Sequence, residues 1–233
     1  MDGGSPQGKG RPSENGRSSR LEPVRVGPNP SPFRVVAMDA MGVLYRSADD
    51  VTELLIPYAR ARGSRLGPER IHELYVQCSL GRMTSSELWK RLGTNGADDE
   101  EYCRGHELTE GVLPAFERLN ARGVRLACLS NDVSEWSLLL RRRFGLDKYV
   151  STWVISGDIG VRKPSAEAYA TLSRAVGIDP GQILFVDDRM ANVRAARAAG
   201  LASVLYGAAG SELDEDGQRT VRRMDALEEA LDQ

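Results

Sequence analysis

The chain has 233 residues, of which 41% are hydrophobic and 27% are charged, with 31 lysines and arginines against 33 aspartates and glutamates. This length predicts one α/β-sized core with an insert or a tail, and the net charge of -2 argues against bulk nucleic-acid binding and a polybasic membrane anchor. No apolar run approaches the roughly 18 residues that span a bilayer, and no apolar segment typical of a secretory signal is present near residue 1. We therefore expect a cytoplasmic protein with no membrane or nucleic-acid partner.

Cysteine and histidine are scarce. Cys78, Cys103 and Cys128 are widely spaced and form no CxxC pair, so neither a disulfide framework nor a zinc site is indicated. His72 and His106 are the two histidines of the sequence, which argues against most histidine-based catalytic triads. If the protein is an enzyme, carboxylates are expected to carry its chemistry.

Residues 1–31 differ in composition from the rest of the chain. They contain 6 of the 24 glycines, 5 of the 11 prolines and five serines, without hydrophobic periodicity. Such a segment buries too little apolar surface to offset the entropy lost on ordering. A disordered tail is predicted over 1–31.

Short apolar runs alternate with helical periodicity after the tail, which predicts βα units around a parallel sheet. The predicted strands are 34–38, 124–129, 150–155, 183–186 and 203–206. Ser165 is placed to cap a helix that carries Tyr169, and Ser134 to cap one that ends at Gly145. Both helices fit between consecutive predicted strands of an α/β fold.

A long stretch without a convincing strand, residues 46–110, separates the first two predicted strands. The spacing of its apolar residues predicts amphipathic helices over 51–62, 68–79 and 85–92, with Leu88 and Trp89 on a buried face. An insert at the carboxyl end of a strand lies over the crevice where open α/β sheets bind ligands, and such lids exclude water. The predicted organisation is a core of residues 32–45 and 111–233 with a helical cap at 46–110.

Four short segments stand at or just after predicted strands, where a parallel sheet places its ligand site. They are Asp39-Ala40-Met41-Gly42-Val43-Leu44, Leu129-Ser130-Asn131-Asp132, Arg162-Lys163-Pro164 and Val186-Asp187-Asp188. Each segment alone is as compatible with a helix cap or a solvated turn as with a site. Their order and their strand contexts together are far more specific.

In this order the four segments resemble the motifs of the haloacid dehalogenase (HAD) superfamily. The resemblance covers about residues 33–231, and it includes both the cap between the first two motifs and the stretch Ser156-Gly157-Asp158-Ile159-Gly160-Val161-Arg162-Lys163-Pro164. It implies an α/β fold, namely a Rossmann-like three-layer core with a parallel sheet and an inserted α-helical cap. It also implies a hydrolase that acts on a small, anionic substrate.

The resemblance assigns roles to the motif residues. Asp39 would attack the substrate and form a covalent intermediate. Ser130 and Asn131 would donate hydrogen bonds to the substrate, and Lys163 would neutralise developing charge and orient the nucleophile.

A Mg²⁺ ion is the cofactor that the resemblance implies. Its ligands would be Asp39, the backbone carbonyl of Met41, Asp187 and Asp188. Three neighbouring carboxylates repel one another unless a cation is present, and Mg²⁺ prefers oxygen ligands.

Met41 departs from the pattern of the phosphatases in this superfamily. They carry at this position a second aspartate, which protonates the leaving group and activates water. A thioether transfers no proton, and the loss of a general acid–base group typically costs about 10²–10⁴ in rate.

Three interpretations remain open. The first, which we favour, is a Mg²⁺-dependent hydrolase or transferase of phosphoryl groups in which leaving-group protonation is unnecessary or comes from elsewhere. The second is a 2-haloacid dehalogenase, whose first motif also lacks this acid, although Asp187, Asp188 and Arg189 differ from the dehalogenase pattern and Val43 replaces its threonine. The third is a binding or regulatory protein that has lost turnover.

Two further residues are candidates. Arg82 follows Gly81 in the predicted cap and is a candidate contact for an anionic substrate, although a solvated arginine is the simpler interpretation. Asn192 either orients Asp188 or caps the helix that follows, and capping is the prediction that we prefer.

Overall fold

The computed structural model describes residue 1, residues 31–207 and residues 220–231. The predicted tail at 1–31 lies outside the described residues, except for its two end residues. Within the described residues, six parallel strands form one sheet in the order β3-β2-β1-β4-β5-β6. They are β1 (Val35–Met38), β2 (Arg125–Ser130), β3 (Val150–Ile155), β4 (Ile183–Asp187), β5 (Ala202–Tyr206) and β6 (Thr220–Val221).

The strand register aligns the carboxyl ends of the central strands. Met38, the last residue of β1, pairs with Cys128 of β2 on one side and with Val186 of β4 on the other. All four residues of β1 and all five of β4 are buried. Continuous apolar runs of this kind are typical of parallel strands that are covered on both faces.

The stretch of residues 46–110 contains a series of helices, as predicted. The segment begins with a π-helical turn (Val51–Leu55) and continues with α1 (Ile56–Ala61), α2 (Pro68–Cys78), α3 (Ser85–Leu92) and α4 (Asp99–Cys103). Thr84 starts α3 with a capping box: its side chain accepts a hydrogen bond from the Glu87 amide, and Glu87 accepts one from the Thr84 amide. Helix α4 was not predicted, because five residues are too few to show a helical period.

Helices cover both faces of the sheet and complete a three-layer α/β fold, as predicted. The α-helices after residue 110 are α5 (Val112–Ala121), α6 (Ser134–Arg143), α7 (Ser156–Ile159), α8 (Ala166–Val176), α9 (Met190–Ala198) and α10 (Leu227–Leu231). Val36 and Met38 pack in one apolar cluster, which includes Phe116 of α5. The alternate residues Val35 and Ala37 pack in the other, with α8 and α9, because successive side chains of a strand point to opposite faces.

An aromatic cluster joins the segment 46–110 to α6. The rings of Tyr102 and Trp136 have centroids 4.4 Å apart, and those of Trp89 and Trp136 lie 5.3 Å apart. The indole nitrogens of both tryptophans donate to Asp99 Oδ1 over 2.7 Å, and the Ser85 hydroxyl donates to Asp99 Oδ2 over 2.6 Å. Trp89 is therefore a packing residue, as predicted.

Some local predictions were wrong. The N-cap of α6 is Val133, and Ser134 is its first helical residue, without a side-chain capping bond. Ser165 occupies the N-cap position of α8 as predicted, but its side chain accepts no capping hydrogen bond there. Strand β6 was missed, because two residues carry no detectable alternation.

The described residues from 31 onwards form one compact unit, and the division into a core and a cap stays a prediction. Within the described residues, no helix is both long enough and apolar enough to cross a membrane.

Candidate active site

The motif carboxylates converge at the carboxyl edge of the sheet. Asp39 directly follows β1, and its amide donates to the Val186 carbonyl of β4 over 2.8 Å. Asp187 ends β4, and Asp188 follows it. Oxygens of these three aspartates lie within 4.8 Å of one another, because β1 and β4 are hydrogen-bonded neighbours that end at the same level.

Lys163 lies between two of these carboxylates. Its Nζ is 2.7 Å from Asp39 Oδ1 and 2.7 Å from Asp187 Oδ2. The side chains of Lys163 and Asp187 are at most 1% exposed, and that of Asp39 is 9% exposed. Burial disfavours the ammonium, but the two carboxylates outweigh this effect and raise the pKa of Lys163. Burial raises the pKa of Asp39, while Lys163 acts to lower it.

Two asparagines hold this ion-paired group in place. Asn131 Nδ2 donates to the Lys163 carbonyl over 2.9 Å, and the Lys163 amide donates to Asn131 Oδ1 over 2.8 Å. Asn192 Nδ2 lies 3.0 and 3.1 Å from the two oxygens of Asp187. The preferred interpretation of Asn192 as a helix cap was wrong: it is a buried residue inside α9 whose side chain orients Asp187.

The donor set at this edge fits a hard divalent cation. Asp188 Oδ1 is buried and has no hydrogen-bond partner among the described residues. Burial first and Asp187 second raise the pKa of Asp188 to about 6, although Arg189 and Lys163 act to lower it. The Lys163 ammonium contacts two of these three aspartates, and Mg²⁺, which takes carboxylate and carbonyl oxygens, would supply further positive charge.

Gly42 permits the close approach of the first and fourth motifs. Its φ is +76°, a conformation that side-chain-bearing residues rarely adopt. A Cβ at this position would lie 2.6 Å from Asp188 Cγ. Both the turn and the packing therefore require glycine here.

A cavity of about 50 Å³ adjoins Asp39. Met41, 7% exposed, is part of its wall. The wall also includes Asp50, His72, Tyr75, Asn131, Arg162 and Arg189. Met41 thus stands in the cavity wall, two residues after the predicted nucleophile.

The remaining candidates fall in two places. Ser130 ends β2 and is 1% exposed, and its hydroxyl has no hydrogen-bond partner among the described residues. Arg82 is exposed, and its Nη1 donates to Gln77 Oε1 over 2.9 Å. Arg82 is not part of the cavity wall, so the structure favours the solvated arginine.

Several cavity residues carried no signal in the sequence. Arg162 directly precedes the motif residue Lys163, and Arg189 directly follows the two motif aspartates, but nothing in the local sequence places either arginine at the cavity. Asp50 and Tyr75 lie in the predicted cap, whose side-chain directions follow from tertiary packing. Tyr75 donates its hydroxyl to the Asn131 carbonyl over 3.0 Å, which connects α2 to the second motif.

The chain is similar to known proteins in sequence and in fold. "Phosphoglycolate phosphatase 1" of Pseudomonas aeruginosa is 34% identical over 195 residues, which are 75% of this chain and 70% of that protein. A HAD phosphatase from Thermococcus onnurineus superposes with a TM-score of 0.67 at 18% identity, covering 85% of this chain and 98% of that one.

A HAD family enzyme from Bacteroides thetaiotaomicron, solved in complex with magnesium and inorganic phosphate, superposes with a TM-score of 0.62 at 19% identity. That match covers 77% of this chain and 96% of that one. The family model for haloacid dehalogenase-like hydrolases matches residues 33–200. The chain therefore belongs to the haloacid dehalogenase-like hydrolase family.

Proposed function

We propose that the protein is a Mg²⁺-dependent, phosphatase-type hydrolase that forms a covalent phosphoryl intermediate on Asp39. The observation that carries this proposal is the buried bridge of Lys163 between Asp39 and Asp187, beside a third carboxylate, Asp188. A dehalogenase has no need for this concentration of acid, because it binds no metal there.

The residues of the site have complementary tasks in this proposal. Asp39 attacks phosphorus, and Lys163 holds the attacking carboxylate while it neutralises charge on the phosphoryl oxygens. The hydroxyl of Ser130, which has no hydrogen-bond partner among the described residues, would donate to the same oxygens. Mg²⁺, held by Asp39, Asp187, Asp188 and the Met41 carbonyl, would add positive charge to the transferring group.

The substrate is proposed to be a small, anionic phosphate ester. Arg162 and Arg189 both line the cavity, and arginine is well suited to bind phosphate and carboxylate oxygens. The named activity of the Pseudomonas aeruginosa relative and the ligands of the Bacteroides thetaiotaomicron enzyme support this substrate class and this metal.

Enzyme assays test the proposal. The purified chain is incubated with MgCl₂ and a panel of phosphate esters that includes phosphoglycolate, p-nitrophenyl phosphate and acetyl phosphate. We expect release of inorganic phosphate that EDTA abolishes and excess Mg²⁺ restores. Asp39→Asn is expected to reduce the rate to background, because an amide is a poor nucleophile.

Two results would contradict this function. Halide release from 2-chloropropionate without metal would identify a dehalogenase. No phosphate release by the natural chain, combined with release by Met41→Asp, would identify a binding or regulatory protein whose pocket lacks only the proton-transfer group.

A further inference from the structure

The proposed function assigns no role to Asp50, a buried acid in the cavity wall. Asp50 is 5% exposed and lines the same cavity as Asp39 and Met41. A group bound in this cavity of about 50 Å³ therefore has Asp39, Met41 and Asp50 in the wall around it. Asp50 directly precedes the π-helical turn Val51–Leu55, a conformation that is rare in proteins and frequent at functional sites.

One carboxylate oxygen of Asp50 lacks a partner. Oδ2 is buried and makes no hydrogen bond within the described part of the chain. Leaving a buried polar atom unpaired is unfavourable, so such an atom in a native protein requires an explanation, and a catalytic role is one of the known explanations. A ligand in the cavity would provide the missing partner.

The surroundings of Asp50 favour proton exchange near neutrality. Burial, reinforced by Asp49, raises the pKa of Asp50 to about 6, whereas Arg162, the Val51 amide and Arg189 act to lower it. The other titratable groups that it influences are Tyr75, Tyr102 and Asp132. An acid with a pKa close to the working pH both gives and takes a proton readily.

The other titratable groups of the cavity wall are less suited to this task. His72 is exposed to solvent. The Tyr75 hydroxyl already donates to the Asn131 carbonyl. Asp49 is exposed, and its Oδ1 accepts a hydrogen bond from the Thr52 amide over 3.2 Å.

We propose that Asp50 is the general acid and base of the reaction, in place of the acid that is absent at Met41; this inference rests on the proposed phosphatase function. In the first step, an oxygen of Asp39 bonds to phosphorus, the bond from phosphorus to the leaving oxygen breaks, and Asp50 gives its proton to that oxygen. In the second step, Asp50 takes a proton from water, the water oxygen bonds to phosphorus, and the bond to Asp39 breaks. Inorganic phosphate is released, Asp39 is a carboxylate again, and Asp50 is protonated again.

Esters whose leaving groups differ in their need for a proton distinguish a general acid at Asp50 from a merely structural role of this residue. Asp50→Asn is compared with the natural chain on p-nitrophenyl phosphate, whose leaving group departs as a stable anion, and on the alkyl ester that the natural chain hydrolyses fastest. For the alkyl ester we expect kcat/KM to fall by about 10²–10⁴. For p-nitrophenyl phosphate we expect a rapid burst of one p-nitrophenolate per enzyme and then slow turnover, because only the water step needs the base.

A control variant, a folding measurement and a rescue variant accompany Asp50→Asn. Asp98→Asn is the matched control: Asp98 is exposed, it lies outside the cavity, and its side chain accepts from the Glu101 amide, a bond that asparagine also accepts. It is expected to behave like the natural chain. Thermal unfolding followed by circular dichroism checks folding, and the double variant Met41→Asp with Asp50→Asn is expected to regain alkyl-ester turnover.

Three results would overturn the assignment of Asp50. They are an equal loss on both esters without a burst, no loss on either ester, and a leaving-group effect that appears in His72→Gln instead. An absence of turnover by the natural chain on every ester would overturn the proposed function together with this assignment, whereas the three results above leave the proposed function intact.

Discussion

At the scale of single residues, the site depends on how little space separates the first and fourth motifs. Gly42 and Asp188 are 146 positions apart in the sequence, yet a Cβ on Gly42 would meet the Asp188 carboxylate. The left-handed backbone of Gly42 alone is no sign of function, since Gly123 has the same φ of +76° and a Cβ added there would have nothing within 4 Å. The contact with Asp188 is what links Gly42 to the chemistry.

Replacing the two glycines by alanine separates backbone strain from this contact. Gly123→Ala is expected to cost about 1–2 kcal/mol of unfolding free energy, the penalty for a left-handed alanine. Gly42→Ala is expected to cost about 1–3 kcal/mol more, because its methyl group displaces Asp188, and to weaken apparent Mg²⁺ affinity. Urea unfolding and Mg²⁺ titration of activity measure both effects. If Gly42→Ala and Gly123→Ala lost equal stability and bound Mg²⁺ with equal affinity, the contact between position 42 and Asp188 would have no effect, contrary to this prediction.

At the scale of secondary-structure elements, Asp99 holds the inserted helices against α6. One of its oxygens accepts from the indoles of Trp89 and Trp136, and the other accepts from the Ser85 hydroxyl. These donors belong to α3 and α6, while Asp99 begins α4. A single carboxylate thus connects three helices, and its loss leaves three donors without their partner.

Asp99→Ala is expected to lower the unfolding free energy by about 2–3 kcal/mol, the size of hydrogen bonds to a charged acceptor, and to change tryptophan emission. Glu100→Ala is the control, because Glu100 is an exposed acid in the first turn of the same helix. Its effect is expected within about 0.5 kcal/mol. Chemical unfolding followed by fluorescence compares the two, and similar losses in both variants would assign the effect to helix α4 alone.

At the scale of the whole molecule, acid sensitivity is expected to depend on a buried histidine. His106 is 1% exposed, its ring meets those of Tyr45 and Tyr102 edge-on, and neither ring nitrogen has a hydrogen-bond partner among the described residues. Burial lowers the pKa of His106 to about 4, although the backbones of Cys103 and Tyr102 act to raise it, and Arg143 adds to the lowering. The folded protein therefore keeps this ring neutral where an unfolded chain would protonate it.

The sign of the pH effect follows from this difference. Below about pH 6.5 the unfolded state binds a proton at this histidine that the folded state does not bind. The free energy of unfolding therefore falls as the pH drops from about 6.5 to about 4. His106→Phe is expected to remove this contribution, so that the variant gains stability relative to the natural chain towards pH 4. Urea unfolding at a series of pH values tests this, with the exposed His72→Gln as control. A pH-independent difference between the natural chain and His106→Phe would contradict it.

The sequence by itself determined the fold class and the residues of the sheet edge. The buried strands had to be apolar, and polar residues at their carboxyl ends stood out against those runs, so Asp39 and Asp187 were visible without a structure. Lys163, which lies beyond β3 and α7, was identified from the motif that contains it. The family resemblance followed from their order along the chain. Met41 was equally visible, because comparing the sequence with the family motif is enough to show that the second aspartate is absent.

Only the tertiary structure decided what surrounds Met41. Asp50, Tyr75 and Arg189 come from different parts of the chain, and nothing in their local sequence indicates that they line the cavity beside Asp39. The task of Asn192 was predicted wrongly for the same reason, since capping is a local property and its bond to Asp187 reaches from α9 to the end of β4. Helical periodicity and short motifs depend on residues that are close in sequence. Which distant residue a helical side chain contacts depends on how the helices and strands pack.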